Sequence, residues 1–320
     1  MSATERTTSP WFSFTVERFL SGVRIDSFLA KHLRNYTTWR LQRMVSAGAA
    51  QVNHAPAEPF QRVFHGQLVG IRLWDPPDKL LTPEPGPYRI VYEDPWLMVV
   101  DKTAGMTVHP VGRHQQGTLT QALQRHLDQQ TALRGLVRAG IVHRLDRMTS
   151  GLMIVTKEHR SHRFISLDVQ AGRLVKSYLA LVEGCVPFDE RTIEMPIGQY
   201  PDGRTMLMSA KKDALHPRSA KTRVTVLQRR RHITVVKCRL YTGRNHQIRV
   251  HMAEIGHPVL GDEFYGSYGQ IRRESAEQSA PQRHALHAAG LEFQHPVLRV
   301  SLRFTSSPPE DFYSLATGCH

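Results

Sequence analysis

Gly140-Ile-Val-His-Arg-Leu-Asp-Arg-Met-Thr-Ser-Gly-Leu-Met-Ile-Val-Thr156 sets two apolar stretches around a polar block that runs from His143 to Gly151. Such a pattern presents a carboxylate, Asp146, on a loop between buried strands. Arg144 and Arg147 flank it in sequence, and a cationic surrounding keeps a carboxylate ionised. Thr149, Ser150 and Gly151 are residue types that supply the local turn bonds of a rigid loop. On chemistry alone this is a candidate site, because a structural Asp–Arg turn has the same composition.

Outward from this stretch, residues 97–100, 151–156, 177–182 and 233–240 read as short strands that alternate irregularly with helical segments. There is no regular βαβ beat and no G-x-G-x-x-G, which argues against a dinucleotide-binding fold. The expected class is α+β: a small N-terminal αβ module, then a domain with a mixed, largely antiparallel sheet flanked by helices. Residues 267–282, rich in Gln, Ser and Arg, read as a long surface loop.

The N-terminal module is expected over 14–74, after a short disordered lead over 1–13. Ile25, Phe28, Leu29 and Leu33 fall at helical spacing, with Asp26 in the first turn where the helix dipole favours an acid. A second helix follows in Thr37-Thr-Trp-Arg-Leu-Gln-Arg-Met-Val-Ser46, with hydroxyl residues to cap its start and Gly48 to stop it. Leu41, Met44 and Val45 then face inward, and Arg40 and Arg43 point outward. A strand around Gln51, a turn at His54 and a closing strand up to Leu73 complete the unit. A proline-rich stretch over 75–87 fixes the backbone near extended geometry and makes a semi-rigid linker to the domain over 88–320.

The formal net charge of the 320 residues is +14, and the isoelectric point is near 10.1. An excess of this size favours polyanionic partners, since each phosphate contact releases condensed counterions. No basic amphipathic helix with an aromatic face supports a membrane surface instead. No window approaches the roughly 18 uninterrupted apolar residues of a membrane span. Cys185, Cys238 and Cys319 are far apart and odd in number, so neither a disulfide framework nor a cysteine zinc site is expected, and the cytoplasm is the default compartment. The 18 histidines include no H-E-x-x-H and no three-ligand spacing. His143, His246 and His257 are expected to be structural hydrogen-bonders or side chains facing a nucleic acid, with no metal.

Two resemblances add to this reading. The R-I-D-x-F-L helix, the helix carrying R-x-x-R-x-x-x-x-G, and the strands after it resemble the S-four type RNA-binding domain. This implies an RNA-gripping role for Lys31, Arg34, Arg40 and Arg43. The segment H-R-L-D-x-x-T-S-G, ungapped over His143 to Gly151, resembles the RluA-type RNA pseudouridine synthases. Val100-Asp-Lys-Thr-Ala-Gly-Met-Thr-Val-His-Pro110 is similar to the family's K-P-x-G-x-x-V-H-P, with Thr103 where the family has proline, a departure expected to alter turn rigidity rather than chemistry. Lys176-Ser-Tyr-Leu-Ala180, Thr242-Gly-Arg-Asn-His-Gln-Ile-Arg-Val-His251 and Gly256-His-Pro-Val-Leu-Gly-Asp262 match further elements in the family's order, as do Ala285-Leu-His-Ala288 and Phe293-Gln-His-Pro296.

The resemblance implies isomerisation of uridine to pseudouridine in structured RNA, with ribosomal RNA of the large subunit favoured and transfer RNA as the alternative. It makes Asp146 the nucleophile, Arg249 its ion-pair partner and Tyr178 the aromatic against the target uracil. Arg144 fills the gap left by a flipped base. Attack on the sugar, attack on the ring and removal of a sugar proton all remain open routes. A helix is expected around Arg249, with Ile248, Met252 and Ile255 as its apolar stripe and Arg249 beside it. No cofactor is implied, and a monomer is expected. A catalytically silent RNA-binding protein is the rival reading, and it would have lost Asp146 or Tyr178. A glycosidase would want a second carboxylate, which the loop lacks.

Overall fold

The computed structural model describes residues 11–33, 36–73, 82–111, 114–130, 137–202, 207–272 and 283–317. Outside them lie Arg34, the lead up to residue 10, Trp74 at the end of the expected N-terminal module, positions 75–81 of the proline-rich stretch, positions 273–282 of the polar loop, and Cys319. The chain divides into two compact units. One takes in 1–85, 120–140 and 156–163, and the other 86–119, 141–155 and 164–320.

In the first unit, β1 (Trp11–Thr15), β2 (Ala50–Val52), β3 (Ala55–Pro56) and β4 (Leu68–Arg72) form a four-stranded sheet in the order β1-β4-β2-β3. Two helices, α1 (Ile25–His32) and α2 (Thr38–Ser46), share one core with it, built from Phe28, Leu29, Leu41, Met44 and Val45 against Val52, Val69 and Ile71. The Thr37 hydroxyl accepts from the Arg40 N–H at 3.1 Å and caps α2, a bond worth about 1 kcal/mol. Gly48, at φ +77°, takes the left-handed turn after the helix.

Three details differ from the sequence reading. The strand starts at Trp11, three residues before the expected boundary at Phe14, because Trp11 and Phe12 pair with Arg72 and Ile71. Arg40 does not point outward: it is half-buried, with its guanidinium carbon 4.1 Å from the Tyr36 ring centroid. Burial and the nearby Arg138 push Arg40 down to about 10, against the pull of Tyr36. The unit is also not a single stretch of chain, since it includes 120–140, and Arg138 comes from that segment.

The second unit is organised by a ten-stranded sheet that includes β5 (Tyr88–Glu93), β6 (Leu97–Lys102), β7 (Gly140–Ile141), β8 (Ser150–Thr156), β9 (Val175–Glu183), β10 (Glu190–Ile193), β14 (Thr222–Arg229), β15 (Ile233–Leu240), β16 (Leu286–Gln294) and β17 (Ser301–Thr305). Its order is β10-β14-β15-β9-β16-β8-β6-β5, with β17 on β16 and β7 on β8. Neighbours are antiparallel along most of its length, whereas β16 runs parallel to β8, so the sheet is mixed. Three short strands, β11 (Ile197–Gln199), β12 (Met208–Ser209) and β13 (Leu215–Arg218), make a separate small sheet. Of the remaining helices, α5 (Gln247–Glu254) and α6 (Glu310–Thr317) belong to this unit, α3 (Leu119–Gln129) falls to the first unit from Thr120 onward, and α4 (His159–Gln170) belongs to the first unit up to Arg163 and to the second beyond it.

Every residue of β8 is buried, as its unbroken apolar run requires of a central strand. On one face Leu152 and Ile154 pack with Leu97, Val99, Ile165, Leu291 and Phe293. At the start of β8 the parallel pairing with β16 sets Ala288 opposite Gly151. Gly151 has φ +115°, and a Cβ there would meet the Ala288 carbonyl oxygen at 2.4 Å, so only glycine allows this approach. Among the described residues no helix is long and apolar enough to cross a membrane.

Candidate active site

The loop between β7 and β8 carries Asp146. Its rigidity comes from bonds made at long range. The Thr149 hydroxyl pairs with His284 Nε2 at 2.8 Å and the Ser150 hydroxyl with His287 Nδ1 at 2.9 Å, while Thr149 N–H donates to the Asp146 carbonyl at 3.1 Å. The sequence reading gave these hydroxyls local turn bonds, and the strand pairing of β8 with β16 hands them histidine partners instead. Burial pushes His284 down to about 3, with Arg249 adding to the effect, so its imidazole is neutral at pH 7.

Lys102, at the end of β6, fastens the loop from the other side. The side chain is fully buried, and its Nζ donates to the carbonyls of Thr103 at 2.8 Å, Met106 at 3.0 Å and Arg147 at 3.1 Å. Three acceptors match the three donors of an ammonium. Burial pushes the amine down to about 7, against the charge of Asp146. Gly105 N–H also donates to the Arg147 carbonyl at 2.9 Å, so the 103–106 turn and the Asp146 loop are tied at one point. Thr103 donates its hydroxyl to the Pro87 carbonyl at 2.8 Å.

The α5 helix supplies Arg249. The helix is buried all round from Gln247 to Ala253, so its register is set by polar partners rather than by one apolar stripe. Gln247 Nε2 donates to the Lys221 carbonyl and the Thr222 hydroxyl, at 3.0 and 2.9 Å. His251 Nε2 donates to the Met195 carbonyl, and the Thr222 hydroxyl then serves Nδ1, both at 2.9 Å. Gly256, at φ +88°, ends the turn as expected.

Arg249 has two carboxylate partners. Its Nε and Nη2 make a bidentate pair with Asp262 at 2.6 and 2.8 Å, and Nη1 donates to Asp146 Oδ2 at 3.2 Å. Asp262 Oδ1 also accepts from the N–H groups of Phe264 and Tyr265 at 2.9 and 3.2 Å. The guanidinium carbon lies 5.3 and 5.2 Å from the ring centroids of the same two residues. Asp262 therefore holds Arg249 in place, and Arg249 offers Asp146 a single bond. The expected Asp146–Arg249 pair is present, and Asp262 is the partner the sequence reading did not assign.

Burial by itself would raise the Asp146 carboxyl. His246 and Arg249 nearby, together with the Arg249 hydrogen bond, reverse this and hold it below the usual carboxylate range. Its side chain is 23% exposed, whereas those of Arg249 and Asp262 are 2% and 0% exposed. Asp146 thus meets a cavity of about 190 Å³, and Arg144, Tyr178 and Arg249 line the same cavity. Tyr178 sits on β9 beside Cys238 of β15. Burial, followed by the charge of Asp146, raises its phenol above the usual range, so the hydroxyl stays protonated. His246 also lines the cavity. It caps α5 in a left-handed conformation, φ +54°, and its Nδ1 is 2.7 Å from the Tyr265 hydroxyl. His143 Nε2 accepts from Ile154 N–H at 3.1 Å, and burial pushes this ring down to about 3. His257 Nδ1 donates to the Glu183 carbonyl at 3.0 Å.

Arg40, Arg43 and Lys31 belong to the first unit. Arg43 and Lys31 are exposed, and Arg43 lies 4.9 Å from the ring centroid of Trp39, itself 64% exposed. Among the described residues, no three His, Cys, Asp or Glu side chains form a group that could hold a metal ion.

Residues 96–254 match the family model described as RNA pseudouridylate synthase. The chain is 38% identical over 306 residues to a ribosomal large subunit pseudouridine synthase D of Neisseria meningitidis, covering 94% of this chain and 80% of that one. It is 35% identical over 292 residues to an uncharacterized RNA pseudouridine synthase of Bacillus subtilis, covering 91% and 92%. Among solved structures, the human RNA pseudouridylate synthase domain containing 1 aligns with a TM-score of 0.55 at 26% identity, over 71% of this chain and 86% of that one.

Proposed function

Since the chain belongs to the RNA pseudouridylate synthase family and is an enzyme that isomerises uridine to pseudouridine, we propose that it acts on large-subunit ribosomal RNA with Asp146 as its nucleophile. The observation that carries the proposal is the carboxylate itself, which is ionised, one-quarter exposed and bonded by Arg249 at the wall of a cavity lined by Tyr178. The substrate class follows from the relatives named for the large subunit.

The target uridine leaves its stack to enter the cavity, at a cost of roughly a few kcal/mol for unstacking. Tyr178 offers an uncharged ring face to the uracil, and the exposed Arg144 fills the space the base vacates, a use suited to a planar guanidinium. The bond from the ribose anomeric carbon to ring nitrogen 1 is broken, the ring turns, and the anomeric carbon is rejoined to ring carbon 5, which gives up its proton to solvent while nitrogen 1 takes one up. Product and substrate have the same atoms, so the reaction needs no co-reactant. An ionised carboxylate with a free oxygen serves all three routes of attack. The first unit grips flanking RNA as an S-four type domain, through Lys31, Arg40 and Arg43.

The test uses ribosomal RNA labelled with tritium at uracil carbon 5, which is released on isomerisation. Wild type should release it, and Asp146→Asn should not, while binding RNA within about tenfold of wild type, because the change removes charge but little volume. Release by Asp146→Asn at the wild-type rate would overturn the assignment. Mapping pseudouridines in RNA from cells with and without the gene identifies the positions.

A further inference from the structure

A second hollow opens beside the catalytic cavity. It has a volume of about 290 Å³, near the low end of ligand-sized clefts, roughly 300–1,000 Å³. The small sheet of β11 to β13 forms one wall, and Gly243, Arg244 and Asn245 form the other. The same three residues line the catalytic cavity, so the two hollows are neighbours across one short segment.

Its charged lining is all of one sign. Arg218 and Arg244 face it together with His216, and among the described residues no aspartate or glutamate does. Arg244 donates from Nε to the carbonyl of Ser219 at 3.0 Å, which sets its guanidinium next to Arg218 along the chain. Among the described residues neither arginine is in an ion pair with a carboxylate, unlike Arg223 and Arg229 on the neighbouring strand β14. Arg244 is held below the usual arginine range, first by burial and then by the charge of Arg218. Two cations brought together without an acid lower their mutual repulsion by taking up an anion.

The backbone here is arranged for the purpose. The β11–β13 pairing shifts register between Ile197 and Gln199, and a bulge of this kind re-aims side chains. His216 next to it is left-handed, φ +51°, a conformation that costs about 1–3 kcal/mol for a residue with a side chain. The two strands come so close that a Cβ on Gly198 would meet the Leu215 carbonyl oxygen at 2.4 Å. His216 lies in the lining of the hollow beside these two features.

We propose that this crevice, between Arg218 and Arg244, binds the phosphodiester next to the target uridine and so sets how the substrate strand runs out of the active site. The proposal rests on the uridine-isomerising reading: with the target base in the first cavity, the hollow on the other side of Gly243 to Asn245 is within reach of the neighbouring backbone. Planar guanidiniums bind phosphate by two parallel bonds, and His216 and Asn245 can donate to the same group or to the adjoining ribose.

The experiment pairs a binding cycle with a steady-state tritium-release assay. Short hairpins of large-subunit ribosomal RNA with loop uridines are made with single uncharged methylphosphonate linkages at each position around the loop. Affinity is measured for wild type, Arg218→Ala and, as an equal loss of charge outside the crevice, the exposed Arg191→Ala. We expect Arg218→Ala to weaken binding by about tenfold, the scale of one charge-assisted hydrogen bond, and to raise KM more than it lowers kcat. One linkage beside the target uridine should weaken wild type by the same factor, and the two losses should not add. Equal losses for Arg218→Ala and Arg191→Ala, or full additivity at every linkage, would overturn the crevice proposal and leave the isomerase reading intact. Absence of tritium release by wild type would strike that reading instead.

Discussion

Replacing Arg249 with methionine removes one cation from two carboxylates, and the structure says how the cost divides. Breaking a buried pair by removing one partner costs about 3–5 kcal/mol, since the other charge stays buried. Asp262, with a 0% exposed side chain and a bidentate pair at 2.6 and 2.8 Å, bears most of the stability loss. Asp146, with one bond at 3.2 Å and an open side on the cavity, bears the catalytic loss. At 3.2 Å and an effective dielectric of about 20, its gross attraction to Arg249 is about 5 kcal/mol, of which burial leaves a part. A net 3 kcal/mol corresponds to about 100-fold in rate. In wild type both carboxyls lie below their ordinary range, so their stabilisation is complete above the unfolded value near 3.9 and is lost as pH falls through the folded values. In Arg249→Met the sign reverses. Burial then raises both carboxyls, the folded state binds the extra protons, and stability falls as pH rises through the raised values. The single-turnover rate should be about 100-fold low at pH 6 and recover as pH rises, in the range where urea denaturation shows the variant weakening. Adding Asp262→Asn should restore part of the stability and little of the rate. If Arg249→Met keeps the wild-type rate at pH 6 and a flat stability profile, Arg249 neither charges nor holds the site.

Gly151→Ala should lower the midpoint of thermal unfolding and the rate together, because its Cβ would lie 2.4 Å from the Ala288 carbonyl and the backbone at φ +115° costs about 1–3 kcal/mol. Wild-type melting by calorimetry would refute it. Lys102→Met leaves three carbonyls without their donor, each worth about 1–3 kcal/mol if it stays buried. We expect a lower denaturation midpoint, with kcat reduced more than KM is raised. Lys31→Gln combined with Arg43→Gln should flatten the dependence of log affinity on log salt by about 0.7–0.9 for each phosphate that is no longer neutralised. An unchanged slope in filter binding would remove these two side chains from the RNA grip.

The parts of this fold that could be read from the chain are those whose cause is local. The β-branched run of β15 declares its whole length, and α2 declares its cap, its stop and its buried face. Asp146, Tyr178 and Arg249 were reachable because family motifs mark them, and they line one cavity. What was missed has causes that lie elsewhere in the chain. Asp262 is 13 residues from Arg249 and closes a segment whose only local message is a turn. Thr149 and Ser150 find histidines more than 130 residues away, through the parallel pairing of β8 with β16. An apolar stripe was the wrong guide to α5, which is buried on every side and held by Gln247 and His251. Arg40 looked solvent-facing by helical phase alone, but Tyr36 lies under its guanidinium.

Thr103 stands where the family resemblance leads one to expect a proline, and a threonine there changes when the turn is stiff. A pyrrolidine ring restricts the chain before folding begins and goes on restricting it whatever the folded state does. The hydroxyl bond from Thr103 to the Pro87 carbonyl exists only in the folded state, at an exposed residue where water competes for both partners. Stiffness of that kind is thermally graded: the bond opens more often as temperature rises, without the sheet coming apart. The Thr103 carbonyl is also one of the three that hold Lys102, and Lys102 holds the Arg147 carbonyl one residue beyond Asp146. Amide exchange at Gly105, which donates to that same Arg147 carbonyl, should therefore quicken on warming well before the protection of β8 is lost. The carboxylate loop would loosen in the same steps.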